Sequence, residues 1–136
     1  DLDDTRLQLR ESLASRPADE PILVSVRESM LSLAEDFERH RDRRLLQARL
    51  AASSPAVSAY SRAVVQFSWE REIIAAVAAR LGVDPLKDPR PEVVAGAAMS
   101  AVRIAMRQWT VSGGTLDFMT LNAAALQSIA SLSDLG

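Results

Sequence analysis

Residues 91–114 read PEVVAGAAMSAVRIAMRQWTVSGG. Proline stands at the front, where a helix tolerates a missing N–H, and two glycines close the run, where a helix is most easily stopped. On a wheel at ~100° per residue, the polar side chains of Glu92, Ser100, Arg103, Arg107 and Thr110 crowd into one sector of roughly 80°. The rest is apolar and sorts by size. Ala97, Ala101 and Ala105 form a small-residue ladder that Gln108 joins, while Met99, Val102, Met106 and Trp109 form a bulky one. A surface helix carries a single stripe somewhat over ~100° wide, so this helix has two sides to bury.

The segment after it repeats the pattern. Thr115 can cap a helix running to about Leu132, with Asp117 well placed against its dipole. Phe118, Leu121, Ala125, Ile129 and Leu132 make one stripe, and Leu116, Met119, Ala123, Leu126 and Ala130 make a second. Together they cover roughly 200° of the circumference. Left exposed, such faces would form an apolar patch of a size monomers rarely carry. Two helices from each of two subunits, closed by a two-fold axis, bury them as a four-helix bundle. The expected contacts are Ala97, Ala101, Ala105, Gln108, Phe118, Leu121, Ala125 and Ile129. A central hairpin wrapped inside one protomer is the alternative.

Upstream, prolines and glycines divide the chain into further helical blocks, and strand-type alternation never persists. Asp3 or Asp4 can cap a first helix ending near Ser15, with Leu2, Leu9 and Leu13 apolar and Leu7 off the stripe. A loop over 16–21 follows. In a helix from Ile22 to about His40, Ile22, Val26, Met30, Leu33 and Phe37 share one arc, with acids and serines opposite. The charge-dense run 38–44 reads as a bend before a short helix through Leu45, Leu46 and Leu50. Ser54-Pro55 opens a long helix that Gly82 stops near Leu81. Val83 to Arg90 is a connection. The expected fold is an all-α bundle of about six helices in one domain, residues 1–136.

The 136 residues suffice for one real core. Net charge is −2, which argues against nucleic acid as the direct partner of this piece. The absence of cysteine rules out disulfides and permits a cytoplasmic address. No apolar run approaches the ~18 residues of a membrane span, and no signal-peptide pattern opens the chain. Lys87 is the only lysine among many arginines, which with the alanine excess suggests a GC-rich bacterial genome. The first residue is Asp1 rather than Met, which points to a fragment with sequence upstream.

Catalytic chemistry has little to stand on. His40 is the one histidine, at a helix end, so histidine pairs and a histidine-rich metal site are excluded. The acidic runs Asp3-Asp4 and Glu35-Asp36 fall on wet faces, whereas a general acid needs a desolvated or charge-coupled carboxyl. No cofactor is implied. The informative departures are polar residues within apolar stripes. Arg71 falls among Tyr60, Val64, Phe67, Ile74, Ala78 and Leu81. A buried unpaired guanidinium costs several kcal/mol, so it snorkels outward, pairs with Glu35 or Glu70, or recognises an anion in a pocket. Gln108 either bonds across a dimer axis or lines a pocket. Trp69, on a weaker stripe with Val65, Ile73 and Val77, reads as core. Met30, Leu33, Phe37, Tyr60, Phe67, Arg71, Met99, Met106 and Trp109 are the candidates for lining an apolar cavity, although such residues at helical spacing also serve simply as core.

The order of parts resembles the C-terminal region of TetR-family transcriptional regulators, and is especially similar to that of mycofactocin-type regulators. The carrying motifs are RLAASSPAV at 49–57 before the long helix, WERE at 69–72 leading to AARLG at 78–82, and RIAMRQW at 103–109 closing at Gly113-Gly114. The resemblance implies a homodimer built on the last two helices and a ligand cavity enclosed by the middle ones. It implies operator binding by an N-terminal helix-turn-helix domain, and the expectation is that this domain lies outside the present sequence, with Asp1 already at the linking helix. It also implies an acyl-CoA or other apolar effector, with Arg71 nearby. Two recognition helices must sit ~34–36 Å apart, so a ligand that favours another packing of the middle helices would shift the leading helix and spoil that spacing. Such coupling is typically ~1–3 kcal/mol. The rival readings are a plain helical dimerisation module with a filled core, and a small all-α enzyme of chorismate-mutase type. The enzyme would need several cations converging inside a bundle, where the sequence puts only Arg71.

Overall fold

A computed structural model describes residues 2–135, with the side chains of Leu2, Asp3, Ser61, Arg62 and Val65 outside the description. The expected roles of Leu2 and Val65 in their stripes, and of Asp3 as a cap, therefore lie outside the described residues. Every regular element among these residues is helical: α1 (Leu2–Ser15), α2 (Ile22–Arg39), α3 (Arg41–Ala52), α4 (Pro55–Leu81), α5 (Arg90–Val111) and α6 (Phe118–Ser131), followed by a 3-10 turn (Leu132–Asp134). The all-α bundle of six helices is as expected.

Local chemistry explains the boundaries. Ser54 is extended, and its hydroxyl accepts the N–H of Val57 at 3.4 Å, with Pro55 in the first helical position. Gly82 takes the left-handed conformation, φ 66°, and the Val83 N–H then reaches the Ala78 carbonyl at 3.0 Å. Gly113 and Gly114 are also left-handed, at φ 67° and 77°. Gly114 is constrained twice over. A Cβ there would lie 3.0 Å from Leu45 Cδ2, and its carbonyl accepts a hydrogen bond from the Arg41 guanidinium. The turn between α5 and α6 is thereby tied to α3.

Three local expectations are corrected. The cap of α6 is Asp117, whose carboxylate accepts the Thr120 N–H at 3.0 Å, while Thr115 stands outside the helix and donates to the Ser112 carbonyl. The bend after α2 is confined to His40, and Arg41 already begins α3. Pairs one turn apart, Arg39–Asp36 at 2.9 Å and Arg41–Glu38 at 3.4 Å, let this dense run of charge stay helical. Finally, Ser25 and Ser29 face inward, 1% and 0% exposed, rather than lying opposite the stripe. Ser25 is satisfied there by Glu20 at 2.7 Å.

The main core joins Leu9 and Leu13 of α1 to Val26, Met30 and Leu33 of α2, Ile73 and Val77 of α4, the alanine side of α5, and Leu126 of α6. A second cluster centres on Trp109. Its ring meets Phe37 edge-on at 5.4 Å and Phe118 at 5.2 Å, while Phe37 stacks on Phe118 at 4.6 Å.

Polar clamps hold the leading segment to α4. Glu72 receives Arg6 at 2.9 Å and Arg10 at 2.7 Å. Glu20 receives Arg16 Nε at 2.9 Å and the Ser25 hydroxyl, and Arg80 donates to the Glu20 carbonyl at 2.7 Å. The Arg16 guanidinium, and after it the Ser25 hydroxyl, hold the Glu20 carboxyl down to about 2 from an ordinary 4.5. A carboxyl whose pKa is depressed by folding contributes stability above its unfolded pKa and loses it as pH falls toward its folded one. The melting temperature of Glu20→Gln is therefore expected below that of the parent at neutral pH, with the two converging as pH drops from 4.5 to about 2. A constant gap across that window, in melts followed by circular dichroism, would show that Glu20 acts through something other than its charge.

Candidate functional site

α3 lies over the seam between α2, α4 and α5 and buries no residue of its own. Beneath it is a cavity of about 390 Å³, within the ~300–1,000 Å³ of ligand pockets. Helix α2 supplies Leu33, Asp36 and Phe37, and α3 supplies Arg44, Gln47, Ala48 and Ala51. Gln66 and Trp69 come from α4, Met99, Val102, Arg103 and Met106 from α5, and Thr5 from α1. The walls are mostly apolar, with exposed Gln47 and Arg103 at the edge. Five of the six helices meet here, so the cavity adjoins both the leading helix and the long hairpin of α4 and α5.

The charges at the cavity are unequal. Asp36 is held below its usual range chiefly by Arg39, which reaches it at 2.9 Å. The Arg44 guanidinium lies over the Phe37 ring, 5.6 Å from its centre. Among the described residues neither Arg44 nor Arg103 has a carboxylate at ion-pair distance. Two further donors stand out: Arg44 Nε and the Trp69 indole N–H are both shielded from solvent with no hydrogen-bond partner.

Four of the nine residues expected at a cavity line it: Leu33, Phe37, Met99 and Met106. Met30 and Trp109 lie in the core, 2% and 0% exposed. Tyr60, Phe67 and Arg71 stand on the outer side of α4, with the Arg71 guanidinium 5.5 Å from the centre of the Phe67 ring. This corrects the orientation of α4. At Tyr60, Phe67 and Arg71 the stripe turns outward, while its Ile74, Ala78 and Leu81 pack on the core beside Ile73 and Val77 of the weaker stripe. The reason is the guanidinium: rotating Arg71 inward would bury a charge with no partner. The sequence pointed to the helix through Leu45 and Leu50 but not to the cavity residues of α3, Arg44, Gln47, Ala48 and Ala51, nor to Asp36 and Arg103, which belong to otherwise polar faces. Trp69 was visible in the sequence only as core.

The residues expected at a dimer face differ in their exposure within the protomer. Ala101, Ala105 and Phe118 are 5%, 0% and 2% exposed within the protomer. Leu121, Ala125 and Ile129 pack half-buried against the two core clusters. Ala97 and Gln108 remain on the outer side of α5, on or beside a strip of Val93, Ala97, Ser100, Ile104 and Val111. These five recur at near-heptad spacing. Thr120, Ala124 and Ser128 form a matching exposed row of small residues on α6. No helix among the described residues is long and apolar enough to cross a membrane.

Comparison with known families agrees with this architecture. The family described as MftR C-terminal domain, within the C-terminal domains of TetR-type regulators, matches residues 20–133. No curated protein matches the chain.

Proposed function

We propose, from the premise that the chain belongs to the MftR C-terminal domain family of TetR-type regulators, that it is a ligand-sensing and dimerising domain whose effector occupies the cavity beneath α3. The effector would be a small apolar or acyl-type molecule such as an acyl-CoA. Its binding would alter operator recognition by an N-terminal helix-turn-helix domain of the parent regulator. The observation that carries the reading is the cavity, with its apolar walls drawn from five helices. Sensing needs only a difference in affinity between two packings of those helices. Thr5 brings α1 into the wall, so filling the space bears directly on the segment leading toward a DNA-binding domain.

The outward strip on α5 and the small-residue row on α6 support a homodimer of the kind common in the family. A two-fold axis would bring each strip against its copy.

Thermal melts with fatty acids and acyl-CoA thioesters test the sensing function. A ligand at 100 times its dissociation constant should add ~2.7 kcal/mol and raise the melting temperature by several degrees. No shift with any such compound would leave the chain a plain dimerisation module.

A further inference from the structure

Helix α3 is attached differently from the other five. It buries no residue of its own, whereas each of the others carries at least two buried side chains. Both of its ends are breaks in the helical path: His40 at φ −118°, ψ 31° before it, and the extended Ser54 at φ −126°, ψ 111° after it. Of its three leucines, Leu46 and Leu50 are exposed, and only Leu45 packs inward, against Ala34, Trp109 and Phe118. A helix that removes so little apolar area from water opens locally at a smaller cost than the domain unfolds.

One stripe holds it down. Arg41, Leu45 and Arg49 recur every fourth residue and so share a face, and that face lies along the turn between α5 and α6. The Arg41 guanidinium donates to the Gly114 carbonyl and also pairs with Glu38 at 3.4 Å. A Cβ at Gly114 would stand 3.0 Å from Leu45 Cδ2, and one at Gly113 would stand 3.3 Å from an Arg49 nitrogen. The two glycines leave the room that this stripe fills. The neighbouring stripe, Arg44, Ala48 and Ala51, covers the cavity. The same helix thus grips the turn with one face and roofs the cavity with the next.

We infer that α3 is a strap that swings about His40 and Ser54 to admit and release what occupies the cavity, held shut by the grip of Arg41 and Leu45 on the Gly113–Gly114 turn. The inference rests on the sensing function for its purpose, but the motion belongs to the fold and is read without a ligand.

The chain has no cysteine, so one introduced thiol reports on one place. Met99→Cys puts it on the cavity wall beneath α3, and Ala105→Cys puts it in the core away from the cavity; both positions are buried. Leu33→Cys, also buried at the cavity, is a second reporter. Each is labelled with the aromatic disulfide DTNB under native conditions. The cavity thiols should react at least about tenfold faster than Ala105→Cys, yet well below the rate of an unfolded thiol. Their rates should rise only shallowly with urea, because lifting α3 exposes little surface, whereas Ala105→Cys waits for global unfolding and responds steeply. Arg41→Gln and, separately, Leu45→Ala should each speed the cavity thiols about tenfold. Cavity thiols that share the rate and urea slope of Ala105→Cys would show that α3 never opens by itself. Cavity thiols that react at the unfolded rate would show that nothing closes the cavity. A separate opening that neither Arg41→Gln nor Leu45→Ala accelerates would overturn the grip on the turn. None of these outcomes involves an effector, so each is distinct from a failure of the sensing function, which the ligand melts report.

Discussion

Replacing Trp109 by alanine should remove about 3–5 kcal/mol of folding free energy, the largest loss expected from any single side chain here. The indole is 0% exposed and sits between Phe37 and Phe118, with ring centres 5.4 and 5.2 Å away. Truncation would remove its buried area and two edge-on aromatic contacts, and would leave a void that the ends of three helices meet. Gly114 lies against the same ring, 3.6 Å from its Cζ2 to a notional Cβ, so the α5–α6 turn cannot close the gap without losing its tie to Arg41. Domains carry only ~5–15 kcal/mol in total, so the variant should melt far below the parent or fail to fold at 37 °C. Urea unfolding followed by circular dichroism measures the loss. Trp109→Phe is the control. It keeps a ring in place and should cost less than half as much. A loss under about 1 kcal/mol for the alanine variant would mean that the cluster relaxes freely and does not pin α2, α5 and α6 together.

Replacing Ile104 by arginine should raise the dimer dissociation constant at least about 100-fold. Ile104 lies mid-strip on the outer side of α5, between exposed Arg103 and Arg107. In the proposed dimer this strip meets its own copy, so one substitution places two extra guanidiniums against each other beside charges of the same sign. Ile104 is half-buried in an isolated protomer, and a long arginine there can carry its guanidinium out to solvent, so the fold should be disturbed far less than the association. Light scattering over a dilution series reads the result. The parent should keep twice the 14.8 kDa chain mass on dilution, whereas the variant falls to a single chain. A parent that is monomeric at every concentration would remove the dimer from the proposed function, and the exposed strip would then need another occupant.

The helices and their ends were legible in the sequence because each rests on a near-neighbour rule. Ser54-Pro55, Gly82 and Gly113-Gly114 act within one turn of their own position. The cap of α6 was misassigned by two residues because Thr115 and Asp117 both satisfy that rule. Only the path of the chain leaving Gly114 puts Asp117, and not Thr115, in line with the first free N–H groups. The cavity was half legible. Leu33, Phe37, Met99 and Met106 followed from bulk and periodicity, whereas Arg44, Gln47 and Arg103 belong to helix faces that look solvated when read alone.

What the sequence determined by itself is the all-α class, the six helices, the two-sided apolarity of α5 and α6 and, through the order of its motifs, the family. These depend on periodicity and on local dihedral preference, which are properties of short windows. Which way the first half of α4 turns, which side of α5 stays on the outside of the protomer, and where the space beneath α3 opens were decided by tertiary structure alone. Each is a competition between faces of similar apolarity. The outcome depends on where Arg71 can stay solvated, and on how closely the alanines of α5 let neighbouring helices approach.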